Sequence, residues 1–193
     1  MGSLVAAGCR PAHFLLLALV ALAAGAGKAS AATFLVLNLC PFPVWPAAVP
    51  TGAGTGPLTK LEHAKAWFVR VRVPSGTGRI WGRTGCDFAG DGEHGGCSTG
   101  DCAGALHCQS MGKPPATVAE FTISDVAGIA NDTFGISVAD GFNLPLDFAC
   151  GGGNPRVWKE WVRCREPGCP DAMKVHSCRS EGDYNVVFCP FKD

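Results

Sequence analysis

The chain predicts an all-β domain, an antiparallel sandwich or flattened barrel of short strands held by disulfides. Three observations carry this reading. Several short segments alternate apolar and polar residues at period two, 26 glycines and 14 prolines punctuate them, and all but one of the 11 cysteines lie beyond residue 39 of the 193.

The N-terminus is set apart. Arg10 precedes the apolar run Phe14-Leu-Leu-Leu-Ala-Leu-Val-Ala-Leu-Ala-Ala24, and small residues follow, ending in Ala29-Ser-Ala31. These are the charged start, apolar core and Ala-x-Ala cleavage site of a secretory signal peptide over residues 1–31, leaving one domain over 32–193. The run falls short of the roughly 20 apolar residues that a membrane span needs, and no second run follows. The expectation is a secreted, extracellular protein with no transmembrane segment.

Cleavage there removes Cys9 and leaves ten cysteines, Cys40, Cys86, Cys97, Cys102, Cys108, Cys150, Cys164, Cys169, Cys178 and Cys189. An even number in an oxidising compartment permits complete pairing into five disulfides. A zinc site from Cys97, Cys102 and Cys108 would lack paired Cys-x-x-Cys arms and would need free thiols after secretion, so no metal and no cofactor are expected. The same cleavage removes Arg10 and Lys28, which leaves 14 basic against 16 acidic residues. Such a balance does not announce a nucleic-acid partner.

Along the domain, Thr33-Phe-Leu-Val-Leu-Asn38 and Tyr184-Asn-Val-Val-Phe-Cys189 read as strands near the two ends. In Trp67-Phe-Val-Arg-Val-Arg-Val73 the valines face a core and Arg70 and Arg72 face water. Glu120-Phe-Thr-Ile123 and Phe134-Gly-Ile-Ser-Val138 are further strands. Asn154-Pro-Arg-Val-Trp-Lys-Glu-Trp-Val-Arg-Cys164 breaks the pattern. Asn154 is an N-cap, Pro155 takes the first helical position, and Val157, Trp158, Trp161 and Val162 gather at helical spacing, so a short amphipathic helix is expected. Packing of its tryptophans onto the sheet is favoured over a sugar-stacking platform. Asp101 is expected to bond turn amides, and Asn131-Asp-Thr133 is a glycosylation sequon.

Gly78-Arg-Ile-Trp-Gly-Arg-Thr-Gly-Cys86, Cys97-Ser-Thr-Gly-Asp-Cys102, Gly112-Lys-Pro-Pro-Ala-Thr-Val-Ala-Glu-Phe121, Asp140-Gly-Phe-Asn-Leu-Pro145 and Asn185-Val-Val-Phe-Cys-Pro190 follow one another across the domain. In that order they resemble the signature of thaumatin-like proteins, pathogenesis-related family five. Ten cysteines and a short stretch between Phe148 and Asp171 are similar to the small class of cereals and other grasses. The resemblance implies a flattened β-sandwich of about ten strands, with most of the second, disulfide-rich domain absent. It also implies the pairs Cys40–Cys189, Cys86–Cys97, Cys102–Cys108, Cys150–Cys178 and Cys164–Cys169.

For function, the resemblance implies an acidic cleft associated with antifungal action and β-1,3-glucan binding, carried here by Arg79, Glu120, Asp140 and Asp171. A further aspartate of the family's pattern is replaced by Gly135, and Asp132, three residues earlier on a strand, faces the other way. Glycoside hydrolysis needs two flanking carboxyl groups, and the candidates are Glu120 as acid and Asp140 as nucleophile or base. The expectation is a monomeric, apoplastic defence protein that binds fungal β-1,3-glucan through an incomplete cleft. The alternatives are an inhibitor of microbial xylanases and a weak endo-β-1,3-glucanase.

Overall fold

The structure, a computed structural model, describes residues 31–49, 59–72, 76–89, 94–124, 131–151, 158–178 and 183–191. The expected signal peptide lies outside the described residues apart from Ala31. Twelve strands occur among them: β1 (Ala31–Asn38), β2 (Trp45–Val49), β3 (Lys65–Arg72), β4 (Thr77–Arg83), β5 (Asp87–Phe88), β6 (Gly95–Gly96), β7 (Val118–Thr122), β8 (Asp132–Ser137), β9 (Leu146–Gly151), β10 (Trp158–Cys164), β11 (His176–Cys178) and β12 (Asp183–Phe188). Ten of them form two five-stranded sheets, ordered β10-β9-β12-β1-β3 and β11-β8-β7-β4-β2, and β5 and β6 form a separate ribbon. The all-β sandwich expected from the sequence is thus present.

Alternation decides which residues meet between the sheets. Phe34 and Val36 of β1, Phe148 of β9, and Tyr184, Val186 and Phe188 of β12 face Ile80, Ala119, Phe121, Phe134 and Ile136 of the second sheet in one buried cluster. Each large aliphatic or phenylalanine side chain among them contributes about 1.5–3 kcal/mol on burial. The Phe34 ring stacks on Tyr184 at 4.8 Å and tilts against Phe121 at 4.5 Å. The buried Tyr184 hydroxyl donates to Asp132 Oδ2 at 2.6 Å, while Asp132 Oδ1 accepts from the Ser124 amide at 2.7 Å. This polar bridge ties β8 to β12 across the core. Asp132 therefore points inward and does not take the place of the side chain that Gly135 lacks.

A smaller core forms on the outer face of the second sheet, where Trp81 and Val118 meet Ala47, Cys102, Cys108 and Ala116. Gly100 makes that approach possible. It sits at a positive φ of 67°, a Cβ there would stand 2.9 Å from the Trp81 ring, and its carbonyl accepts from Trp81 Nε1 at 2.9 Å. Beside it Arg83 is fully buried and donates to the carbonyls of Trp45, Ala105 and Leu106. Burial lowers the pKa of this guanidinium to about 10, with Asp101 opposing the shift.

Four expected disulfides are formed, Cys40–Cys189, Cys86–Cys97, Cys102–Cys108 and Cys164–Cys169. Cys150 is also disulfide-bonded, and the side chain of its expected partner Cys178 lies outside the described residues. Asp101 accepts from the amides of Cys97 and Gly104, each at 3.0 Å, as a turn aspartate between two bridges should.

Two features depart from the expectations. The sandwich is not wholly antiparallel, because β1 and β12 run parallel at the centre of the first sheet, Phe34 opposite Tyr184. The expected helix over 154–164 is overturned: Trp158–Cys164 is strand β10, paired with β9, and 152–157 lie outside the described residues. The cause is a bulge. The register shifts between Trp158 and Glu160, leaving Lys159 as an extra residue, so Trp158 lies opposite Gly151 and Trp161 opposite Ala149. Both tryptophans then share the outer face of the sheet at a separation of three, which imitates helical spacing.

Candidate functional site

The cleft is built on the outer face of the second sheet. Strands β4, β7 and β8 lie side by side, with Arg79 opposite Glu120 and Glu120 opposite Gly135. Since Ile80, Ala119, Phe121, Phe134 and Ile136 point into the core, their neighbours point outward. Arg79 Nε meets Glu120 Oε1 at 2.9 Å, and the two side chains are about half exposed. The pair lies in an open cavity of about 290 Å³ that is also lined by Thr77, Thr122, Thr133 and Ser137. Small-molecule sites commonly begin near 300 Å³.

One wall comes from the segment between Cys169 and β11. The Met173 amide donates to the Ile136 carbonyl at 2.8 Å and Ala172 bridges to Ile136, so this segment runs over β8 at Gly135. A Cβ on Gly135 would stand 2.4 Å from the Lys174 carbonyl oxygen. Glycine at 135 is thus what lets this wall approach. Met173 and Val175 stand on it as an apolar lip, 60 % and 77 % exposed.

The residues expected at the cleft separate into two groups. Arg79 and Glu120 meet in the cavity. Asp171 pairs instead with Lys174, Oδ1 to Nζ 3.2 Å, on the segment that forms the lip. Asp140 is exposed in the turn after β8, where its carbonyl accepts from the Ala116 amide at 3.0 Å. Neither aspartate is among the described residues lining the cavity, and Glu120 is the one carboxylate there. Thr77, Thr133, Met173 and Val175 were not candidates from the sequence. The alternation of β4 and β8 could have pointed to the two threonines, whereas nothing in the sequence pattern signals a lip that depends on a carbonyl passing Gly135. Among the described residues no cluster of histidine, cysteine and carboxylate side chains could hold a metal, and no helix is long and apolar enough to cross a membrane. Asn131 of the sequon is exposed just before β8.

Comparison with known proteins adds three observations. The family model described as "Thaumatin family" matches residues 38–189. A thaumatin-like protein of Oryza sativa subsp. japonica is 45 % identical over 172 residues, 86 % of this chain and 89 % of the relative, and thaumatin-like pathogenesis-related protein 4 of Avena sativa is 45 % identical over 175 residues, 88 % and 94 %. A thaumatin-like xylanase inhibitor of solved structure superposes with a TM-score of 0.63 at 35 % identity, covering 81 % of this chain and 99 % of the inhibitor.

Proposed function

The chain belongs to the thaumatin family, and from that premise we propose that it is a secreted plant defence protein that holds fungal β-1,3-glucan at the Arg79–Glu120 cleft without cutting it. The observation that carries the reading is the single carboxylate among the described lining residues of the cavity. Both the retaining and the inverting routes of glycoside hydrolysis use two carboxyl groups flanking the bond. Glu120 supplies one. Neither Asp140, in an exposed turn, nor Asp171, paired with Lys174, is among the described residues that line the cavity.

What remains suits hydroxyl binding. A half-exposed ion pair contributes about 0–1 kcal/mol to stability, so Arg79 and Glu120 are not spent on holding β4 to β7. The guanidinium donates and the carboxylate accepts, which matches the two hydrogen-bonding faces of sugar hydroxyls. Thr77 and Thr133 extend that polar strip along the neighbouring strands.

The test is retention of the oxidised protein, beginning at Ala32, on insoluble β-1,3-glucan, beside an Arg79→Ala, Glu120→Ala double variant and an assay for released reducing ends. Retention of wild type alone, with no sugar released, is the expected result. Equal retention of both proteins or of neither removes the cleft as the glucan site, and released sugar overturns the non-hydrolytic reading.

Inhibition of a microbial xylanase is a second reading, supported by the exposed Met173 and Val175 lip and by the likeness to a thaumatin-like xylanase inhibitor. Exposed apolar side chains beside a cleft suit a protein surface better than a sugar. Under this reading Met173→Asp and Val175→Asp abolish inhibition while leaving the retention assay unchanged.

A further inference from the structure

We propose that the outer face of the first sheet carries a second glycan-binding groove, separate from the Arg79–Glu120 cleft, built for an oligosaccharide of β-linked pyranose rings and centred on Trp158, Trp161 and Asn185. The cleft lies on the outer face of one sheet and this groove on the outer face of the other, so the two are on opposite sides of the sandwich.

The groove follows from strand register. Trp161 lies opposite Ala149, Ala149 opposite Asn185, and Asn185 opposite Leu35, which sets one row across four strands. In the rows to either side, Trp158 lies opposite Gly151, and Arg163 opposite Asp147. Gly151 lets the Trp158 indole settle onto the sheet, a Cβ there standing 3.0 Å from its ring, and the groove beside the indoles encloses about 450 Å³, with Phe191 at its rim. That volume lies within the range of small-molecule sites. The two indoles meet edge to face, with centroids 6.4 Å apart and planes at 68°.

The polar groups in the groove point to a ligand rich in hydroxyls. Asn185 is 6 % exposed, yet its Oδ1 is buried with no hydrogen-bond partner among the described residues. Leaving such an acceptor unpaired is costly, so the position calls for a partner. Turned about χ2, an amide offers either a donor or an acceptor, and a hydroxyl is the group that answers both. Beside it, Asp147 is buried and held by Arg165, Nε to Oδ1 3.1 Å and Nη2 to Oδ2 2.7 Å. Arg163 is half exposed, with its guanidinium carbon 5.9 Å from the Trp161 ring centre and its Nε 3.8 Å from Asp147 Oδ2.

Indole faces next to an amide and a guanidinium–carboxylate pair match a pyranose whose equatorial hydroxyls leave its axial C–H faces apolar. The C–H faces lie on the indoles and the hydroxyls meet Asn185 and Arg163. An apolar protein surface laid here would instead seal the unpaired amide and the Arg163–Asp147 pair against carbon, which raises the cost of their burial.

The test uses the full mature domain in an Arg79→Ala, Glu120→Ala background, which silences the cleft and lets the groove be read even where the first proposal fails. Laminarihexaose, cellohexaose and xylohexaose are each titrated while the indole N–H resonances of Trp158 and Trp161 are followed, with maltohexaose as an α-linked control. The expected result is saturable movement of both resonances with at least one β-linked hexaose and not with maltohexaose. Trp161→Ala should weaken that binding about tenfold, the order expected for a lost aromatic contact. Asn185→Leu, which fills the same space without the amide, should weaken it too. Trp161→Phe, which keeps a ring, should restore part of the affinity, and it serves in place of Trp161→Ala if the alanine variant does not fold. The proposal is overturned if no β-linked hexaose moves either resonance, or if binding survives both Trp161→Ala and Asn185→Leu. It is equally overturned if the protein forms a dimer that Trp161→Ala abolishes, because a second copy would then be the occupant.

Discussion

Placing an aspartate at position 135 would supply the carboxylate absent from the cleft, and the structure predicts that the cleft cannot accept it. A Cβ at Gly135 stands 2.4 Å from the Lys174 carbonyl oxygen, whereas ordinary contact begins near 3.4 Å. The wall segment must therefore retreat by about 1 Å. It is tied down by the Met173 amide on the Ile136 carbonyl at 2.8 Å, by the Ala172 bridge to the same residue, and by His176 opposite Phe134. Loss of one or two backbone bonds costs about 1 kcal/mol each, and overpacking adds about 1–3 kcal/mol. Together they give a destabilisation of about 2–5 kcal/mol for Gly135→Ala, which carries the steric effect alone. Gly135→Asp costs more, since its carboxylate also lies opposite Glu120 in register. Urea unfolding of the oxidised variants measures both, with the midpoint falling at an unchanged slope. If Gly135→Ala unfolds within about 0.5 kcal/mol of wild type, as surface substitutions do, the account of the wall is wrong.

Other outcomes follow from the core and the staples. Replacing Cys40 and Cys189 by alanine opens a bridge of sequence separation 149 and should cost about 5 kcal/mol by loop entropy, against about 2 kcal/mol for Cys164 and Cys169 at separation 5; comparative denaturant unfolding tests the order. Tyr184→Phe keeps the ring stack but removes a donor from buried Asp132, and a loss of about 1.5–3 kcal/mol in the same assay is expected. Arg83→Met strands the Trp45, Ala105 and Leu106 carbonyls; a loss of about 2–4 kcal/mol is expected, together with faster reduction of Cys102–Cys108 followed by thiol labelling. Expression through a eukaryotic secretory pathway should yield protein whose mass falls on treatment with an N-glycosidase and is unaffected by that enzyme in Asn131→Gln, because Asn131 is exposed.

The strands that could be read directly are those in which core-facing apolar residues recur at period two. β1, β3, β7, β8 and β12 alternate as their sequences do, and the inward turn of Asp132 followed from counting along β8. β9 gave no such signal, because all six of its residues are buried and a strand covered on both faces does not alternate. β10 gave a false one through the bulge at Lys159. At the cleft, the order of Arg79, Glu120 and Gly135 along the chain was visible, but their company was not. The wall is set by a backbone carbonyl against a missing Cβ, and backbone approaches between distant segments leave no mark on the side-chain pattern. Asn185 shows the same limit, since it alternates as an outward polar residue and yet is only 6 % exposed in the folded sheet.

The strand order also determines how this protein meets other polymers. Among the described residues the outermost strands of the two sheets are β10, β3, β11 and β2. Lys159 and Arg163 line the first, Lys65 and Arg70 the second, the third has three residues, and Pro46 removes an amide donor from the fourth. Each is a device that discourages an incoming strand from extending the sheet. A protein so defended is poorly suited to fibril growth by edge pairing. It also forgoes recognition by backbone pairing, which leaves its broad faces, with their side chains, as the surfaces through which evolution can change what it binds.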